Sequence, residues 1–182
     1  MPEVVKDYIT NKTFQNTLDL QRQIVMSYEN DIKKYAIGFD KARISNVFRS
    51  IPSQLGKENK KFQISKIKSG AKMKDYRGSF EWLEDAGVIN VCRALQSSNL
   101  PLKGNVLEDS CIIYYADSGL LLSQLDDEAL LDFRQSKNFD VYKGGLFESI
   151  VKEALVKSGY DLHYYKKILH YKKSSLLGIK II

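Results

Sequence analysis

Several things are scarce in this sequence of 182 residues, and each shortage narrows what the chain can be. It holds only three prolines and eleven glycines, against eleven tyrosines and eight phenylalanines, which excludes a disordered or low-complexity chain. No apolar run approaches the ~18 residues that a membrane-spanning helix needs, and the first residues lack a secretory-signal pattern, so a cytoplasmic location is expected. The only cysteines, Cys92 and Cys111, sit in apolar, strand-like segments with no histidine nearby. They read as small buried hydrophobes, and no metal binding or thiol catalysis is expected of them. The only histidines, His163 and His170, are seven apart with no carboxylate or cysteine between them. On a helix that is about two turns, which is not ligand spacing, so they read as a strand-end residue and a surface residue. Also missing are a glycine-rich phosphate loop with Lys-Ser or Lys-Thr, an apolar strand ending in paired acids, and a Gly-x-Ser-x-Gly elbow. Gly144-Gly145 is too short to cradle phosphate. The chain is not expected to bind or hydrolyse ATP by itself.

What is present suits a soluble globular core. Hydrophobic residues make up 43% and charged residues 27%. The formal net charge of +6 permits an anionic partner without requiring one. Apolar residues recur at helical spacing from Phe14 through Leu18, Val25, Tyr28 and Ile32 to Tyr35, after a shorter helix over residues 2–9. Asp40 is placed to cap a helix carrying Ile44, Val47, Phe48 and Ile51, with Pro52 expected to stop it. A basic connector over residues 56–70 leads to a helix over 72–86 with Met73, Tyr76, Phe80 and Leu83 on one face and Gly87 as its closing glycine. Strands are expected at 88–92, 111–115 and 162–165, with short helices capped by Asp117 (or Ser118) and Asp126. A further helix over 145–157 is expected to turn Phe147, Ile150, Val151, Ala154 and Leu155 inward. Helix, basic segment, helix and two-strand hairpin between Asp40 and Tyr115 is the order of a winged helix-turn-helix.

Two features are candidates for chemistry. In and after the connector, Lys57, Lys60, Lys61, Lys66, Lys68, Lys72, Lys74 and Arg77 are opposed only by Glu58 and Asp75. Such side chains neutralise phosphates without reading bases, and Tyr76 and Asn59 add hydrogen-bonding groups. The same run also suits a solvated charged face or a surface that docks on another protein domain. The second feature is Glu148, in the opening of the 145–157 helix next to its apolar stripe. A metal-dependent nuclease would need further carboxylates on neighbouring strands, and after Glu148 only Glu153 and Asp161 follow. Metal binding is therefore not expected, and Glu148 remains a weak catalytic candidate.

Several segments resemble one family. They are Met1-Pro-Glu-Val-Val5, Tyr28-Glu-Asn-Asp-Ile-Lys-Lys-Tyr35, Ile51-Pro-Ser-Gln-Leu55 through Glu58-Asn-Lys-Lys-Phe62, Trp82-Leu-Glu-Asp-Ala-Gly87, Tyr115-Ala-Asp-Ser-Gly-Leu-Leu121 and Gly145-Leu-Phe-Glu148. In this order they resemble the C-terminal region, of unknown function, of prokaryotic ATPases of the AAA superfamily. The resemblance implies a parent protein whose nucleotide-binding domain, with its ATP and magnesium, lies outside this chain. It also implies a restriction-endonuclease-like end in which Glu148 matches a helical glutamate and Tyr164-Tyr-Lys166 opens the next strand. The family's following strand carries metal-binding acids. Here the sequence after Lys167 runs Ile-Leu-His-Tyr-Lys-Lys-Ser-Ser-Leu-Leu-Gly instead, which implies a truncated or frameshifted end without nuclease activity. An incomplete sheet of that kind would expose an edge and favour a homodimer or a disordered tail.

The expected architecture is α+β and mainly helical: a helical connector over 1–36, a winged-helix-like domain over 37–116 and a truncated nuclease-like α/β segment over 117–182. The expected function is a non-catalytic interaction module of an ATPase, touching DNA through the basic segment. The rivals are a metal-dependent nuclease using Glu148 and a pure protein–protein adaptor.

Overall fold

A computed structural model describes residues 1–14, 16–38, 40–135, 141–166 and 179–181. As expected, it is α+β and mainly helical. Helices α1 (Pro2–Asn11), α2 (Thr17–Tyr35) and α3 (Asp40–Leu55) are followed by single 3₁₀ turns at Ile64–Lys66 and Met73–Tyr76, the second running into α4 (Arg77–Asp85). Strand β1 (Ile89–Leu95) and strand β2 (Val106–Tyr115) precede helices α5 (Ser118–Leu122), α6 (Asp127–Gln135) and α7 (Val141–Lys157). Strands β3 (His163–Lys166) and β4 (Ile179–Ile181) complete the described elements.

The four strands form one mixed sheet in the order β2-β1-β3-β4. β1 runs antiparallel to β2 and parallel to β3, and β4 returns antiparallel beside β3. A parallel neighbour needs a long crossover, and α5 to α7 supply it between β2 and β3. Arg93 pairs with Cys111 but Ala94 with Leu107, so Glu108, Asp109 and Ser110 bulge from β2. Pairing of Arg93 with His163 and of Ala94 with Tyr164 crosses the boundary drawn at 116/117 from the sequence. The expected middle and end segments thus share a sheet, and Val25 and Ile32 of α2 join the same buried cluster.

Local signals explain most element ends. The Asp117 carboxylate accepts from the Gly119 N–H at 2.8 Å and opens α5; the Asp126 carboxylate accepts from the Ala129 N–H at 2.8 Å and opens α6. Gly87, at φ 67°, takes the left-handed conformation that closes α4. His163 is buried at the start of β3, as a strand-end residue; His170 lies outside the described residues.

Two expectations are corrected. Pro52 sits inside α3, which continues to Leu55. Proline cannot donate to the carbonyl four residues back, here that of Phe48. That carbonyl instead accepts from the Tyr115 hydroxyl at 2.7 Å in a buried hydrogen bond, so the helix loses a bond but leaves no orphaned acceptor. The second correction is the phase of α7. Phe147, Ile150 and Val151 are 49%, 45% and 52% exposed, and the buried face carries Gly145, Leu146, Ser149 and Lys152. A Cβ on Gly145 would lie 2.6 Å from the Leu55 carbonyl oxygen, so α7 crosses the end of α3 at a distance only glycine allows. That crossing fixes the helix rotation, and the apolar stripe has to follow it.

α3 is the hub of the core. Ile44, Val47, Phe48, Ile51 and Leu55 are all buried, with Phe48 edge-on to Tyr115 at 5.2 Å. On its outer side the Arg49 guanidinium donates to both Glu29 oxygens at 2.6 and 3.0 Å, fastening α3 to α2. The hydrogen bond from Arg49 holds the Glu29 carboxyl below its ordinary range.

Two stability measurements follow from these contacts. Tyr115→Phe keeps the ring but strands the Phe48 carbonyl, and urea unfolding should show a loss of about 1–3 kcal/mol; an unchanged midpoint would mean that the freed carbonyl finds another partner. Because the folded-state pKa of Glu29 is depressed, its contribution is present above the ordinary glutamate pKa and is lost as pH falls through the lowered value. Unfolding measured across the acid range should therefore show a shallower acid limb for Glu29→Gln than for the parent chain.

Candidate nucleic-acid interface

The basic connector has little regular structure, so its shape comes from what it buries. Phe62, Ile64 and Tyr76 point into the core, Phe62 edge-on to Phe80 at 5.5 Å. The Phe62 N–H donates to the Cys111 carbonyl at 2.8 Å, and the Gln63 N–H donates to the buried Gln54 side chain at 2.6 Å. With these residues held inward, Lys57, Lys61, Lys66, Lys68, Lys72 and Lys74 are left exposed, and none of them makes an ion pair among the described residues. Asn59 is exposed beside them, its side-chain oxygen accepting from the Lys61 N–H at 3.2 Å.

The remaining candidates from the basic run lie elsewhere. Tyr76 is 3% exposed and belongs to the core. Arg77 is exposed but ion-paired with Glu108 of the β2 bulge. Lys60 is half-buried, its Nζ 2.5 Å from Glu148 Oε2. The structure therefore leaves six lysines of the run exposed and without ion pairs among the described residues, pairs Arg77 with Glu108, and takes Lys60 and Tyr76 out of the exposed set. On α4 itself the exposed Glu81 and Asp85 make the C-terminal part of the helix acidic, so positive charge is confined to its N-terminal approach.

Glu148 is half-buried between three elements. Its Oε1 accepts from the Tyr114 hydroxyl of β2 at 2.6 Å, while Oε2 takes the Lys60 ammonium of the connector. Lys152, one turn further along α7, is 1% exposed. Burial, reinforced by the neighbouring carboxylate, pushes the Tyr114 hydroxyl far above its ordinary range, so it stays a donor. Glu153 accepts from the Ser118 N–H at 2.7 Å and from Lys157 at 2.5 Å, and so works as a brace between α7 and α5. Asp161 lies exposed before β3. Among the described residues no group of three His, Cys, Asp or Glu side chains could hold a metal ion. Both Glu148 oxygens are committed to protein donors.

The sequence contained a signal for part of this. Glu148 and Lys152 are four apart on one helix face, and both turn out to be on its packed side. The pairing of Glu148 with Lys60, 88 residues away, had no local signal.

The chain belongs to a family described as a domain of unknown function (DUF8612), whose model matches residues 1–131. The match takes in the basic connector and the β1–β2 hairpin and stops within α6, before Glu148. No curated protein and no solved structure matches the chain.

Burial raises the Cys92 thiol to about 11 and the Cys111 thiol to about 12, which leaves almost no thiolate near neutral pH. Iodoacetamide at pH 8 should leave both cysteines unmodified in the folded protein and alkylate both in denaturant. Rapid labelling of the folded protein would show that the β1–β2 pair opens readily.

Proposed function

We propose that this member of the family is a non-catalytic interaction module that contacts nucleic acid through the phosphates, using the connector lysines Lys57, Lys61, Lys66, Lys68, Lys72 and Lys74. The observation that carries the reading is their arrangement: six exposed cations without carboxylate partners, on a segment held to the core by Phe62, Ile64 and Gln63. Unpaired lysines release counterions when they meet a phosphate backbone, and no internal salt bridge has to break first. The order of elements supports a winged-helix-like use of this face. α3, the Phe62 bridge to β2, the turn into α4 and the β1–β2 hairpin succeed one another as in that motif. With Glu81 and Asp85 on the outer face of α4, deep insertion of that helix into a groove is unfavourable. Contact through its N-terminal approach suits phosphate positioning more than base readout.

The resemblance to the C-terminal region of AAA-superfamily ATPases fits the same reading, with a neighbouring ATPase domain supplying ATP hydrolysis and this module supplying attachment. The nuclease reading finds less support. Glu148 is held by Tyr114 and Lys60, and its nearest acidic successor, Glu153, braces α5.

Fluorescence anisotropy with a labelled DNA duplex at two salt concentrations tests the proposal. Affinity should fall steeply with salt, and Lys66→Glu/Lys68→Glu/Lys72→Glu should abolish binding, with the salt slope carrying about one unit per lysine in contact. Absence of binding at low salt would sink the nucleic-acid reading and favour a protein–protein adaptor. Magnesium- or manganese-dependent nicking of plasmid DNA, lost in Glu148→Gln, would instead establish a nuclease.

A further inference from the structure

An open groove of about 470 Å³ lies between α3 and the turn that follows the first 3₁₀ segment of the connector. Arg43 and Asn46 reach it from α3, and Lys68 and Ser69 from the turn. Tyr76, buried in the core, also lines it, and the Arg43 guanidinium sits 5.9 Å from the centre of its ring. The turn passes through Gly70 at φ 76°, where nothing lies within 4 Å of a would-be Cβ. Glycine is thus needed here for backbone conformation and not for room. The Ser69 and Gly70 N–H groups make no hydrogen bond among the described residues, so both remain available as donors. One carboxylate lines the groove, that of Asp75, and its Oδ2 already accepts from the Lys72 N–H at 2.9 Å. Arg43 has a loose ion pair with Asp40 at 3.6 Å, both side chains well exposed, which is a weak hold.

The lining residues therefore carry two cations, an amide, a hydroxyl and two unengaged main-chain N–H groups against one partly engaged carboxylate. That set matches a phosphate ester, whose oxygens accept hydrogen bonds and carry the opposite charge. The volume lies within the range of small-molecule sites and exceeds what a bare phosphate fills, leaving room for an attached sugar. We infer that this cleft seats one phosphate with its sugar, and that Arg43 and Asn46 extend the interface from the connector onto α3. Assigning that unit to a DNA strand rests on the nucleic-acid reading above; a free nucleotide shares the same chemistry.

The test uses the full chain and two variants that remove equal charge: Arg43→Gln/Lys68→Gln within the cleft and Lys57→Gln/Lys61→Gln outside it. Their urea midpoints establish that both fold. DNA affinity is read by anisotropy, and binding of thymidine monophosphate by the amide signals of Ser69 and Gly70 in a nitrogen-15 correlation spectrum. The cleft variant should lose at least about tenfold more DNA affinity than its charge-matched control. Ser69 and Gly70 should shift with thymidine monophosphate in the parent chain and stay still in the cleft variant. Equal loss from the two variants, with unmoved amides, would overturn the cleft while leaving phosphate contact by a diffuse lysine surface intact. If the parent binds no DNA but its Ser69 and Gly70 signals move with the nucleotide, the cleft stands as a free phosphate-ester site and the nucleic-acid reading falls. Failure of both ligands would overturn both.

Discussion

The hydrogen bond from the Tyr115 hydroxyl to the Phe48 carbonyl is the point on which the interior depends. It joins the last residue of β2 to the middle of α3, and it is possible because Pro52 leaves that carbonyl free. A polar bond at the centre of an apolar cluster allows little choice of register. Tyr115 reaches its acceptor only when β2 lies at one height along α3, with Gln124 donating to the same hydroxyl at 2.9 Å from beyond α5. Burial raises the Tyr115 hydroxyl well above its ordinary range, which keeps it a donor at any physiological pH. Around this point α3 meets α2 through Arg49 and Glu29, and α7 through Gly145.

A second polar link runs from the connector to α7. Lys60, Tyr114 and Glu148 form a half-buried trio in which each carboxylate oxygen has its own donor. Removing one partner of such a trio leaves a poorly solvated group behind, which costs more than the pair contributes when intact. The geometry bears on function in two ways. It fixes the base of the basic connector, and it engages the carboxylate that a nuclease would have to present to a metal ion.

The charge distribution follows from packing and not from composition alone. A net charge of +6 spread evenly would have little directional effect. Phe62, Ile64 and Tyr76 are buried and anchor the connector to the core, while the lysines between and beside them stay exposed. The turn at Gly70 and the first turns of α3 flank the open groove lined by Arg43 and Lys68.

Short-range chemistry let the sequence determine much of this protein by itself. The caps at Asp117 and Asp126, the closing glycine at Gly87, the amphipathic face of α3 and the strand character around Cys92 and Cys111 depend on neighbours within a few residues. The run of lysines was equally plain, because charge is read directly from residue type. Only the tertiary structure decided the rest. The rotation of α7 was set by a close crossing between Gly145 and Leu55, ninety positions earlier, which overrode its apolar periodicity. Pro52 was accommodated because a hydroxyl 63 positions later replaced the lost helix bond, and Lys60 was drawn out of the exposed run because Glu148, 88 positions later, met it in a half-buried pair. Each of these outcomes rests on two groups distant in sequence meeting at hydrogen-bond or contact distance, and local pattern carries no record of such meetings.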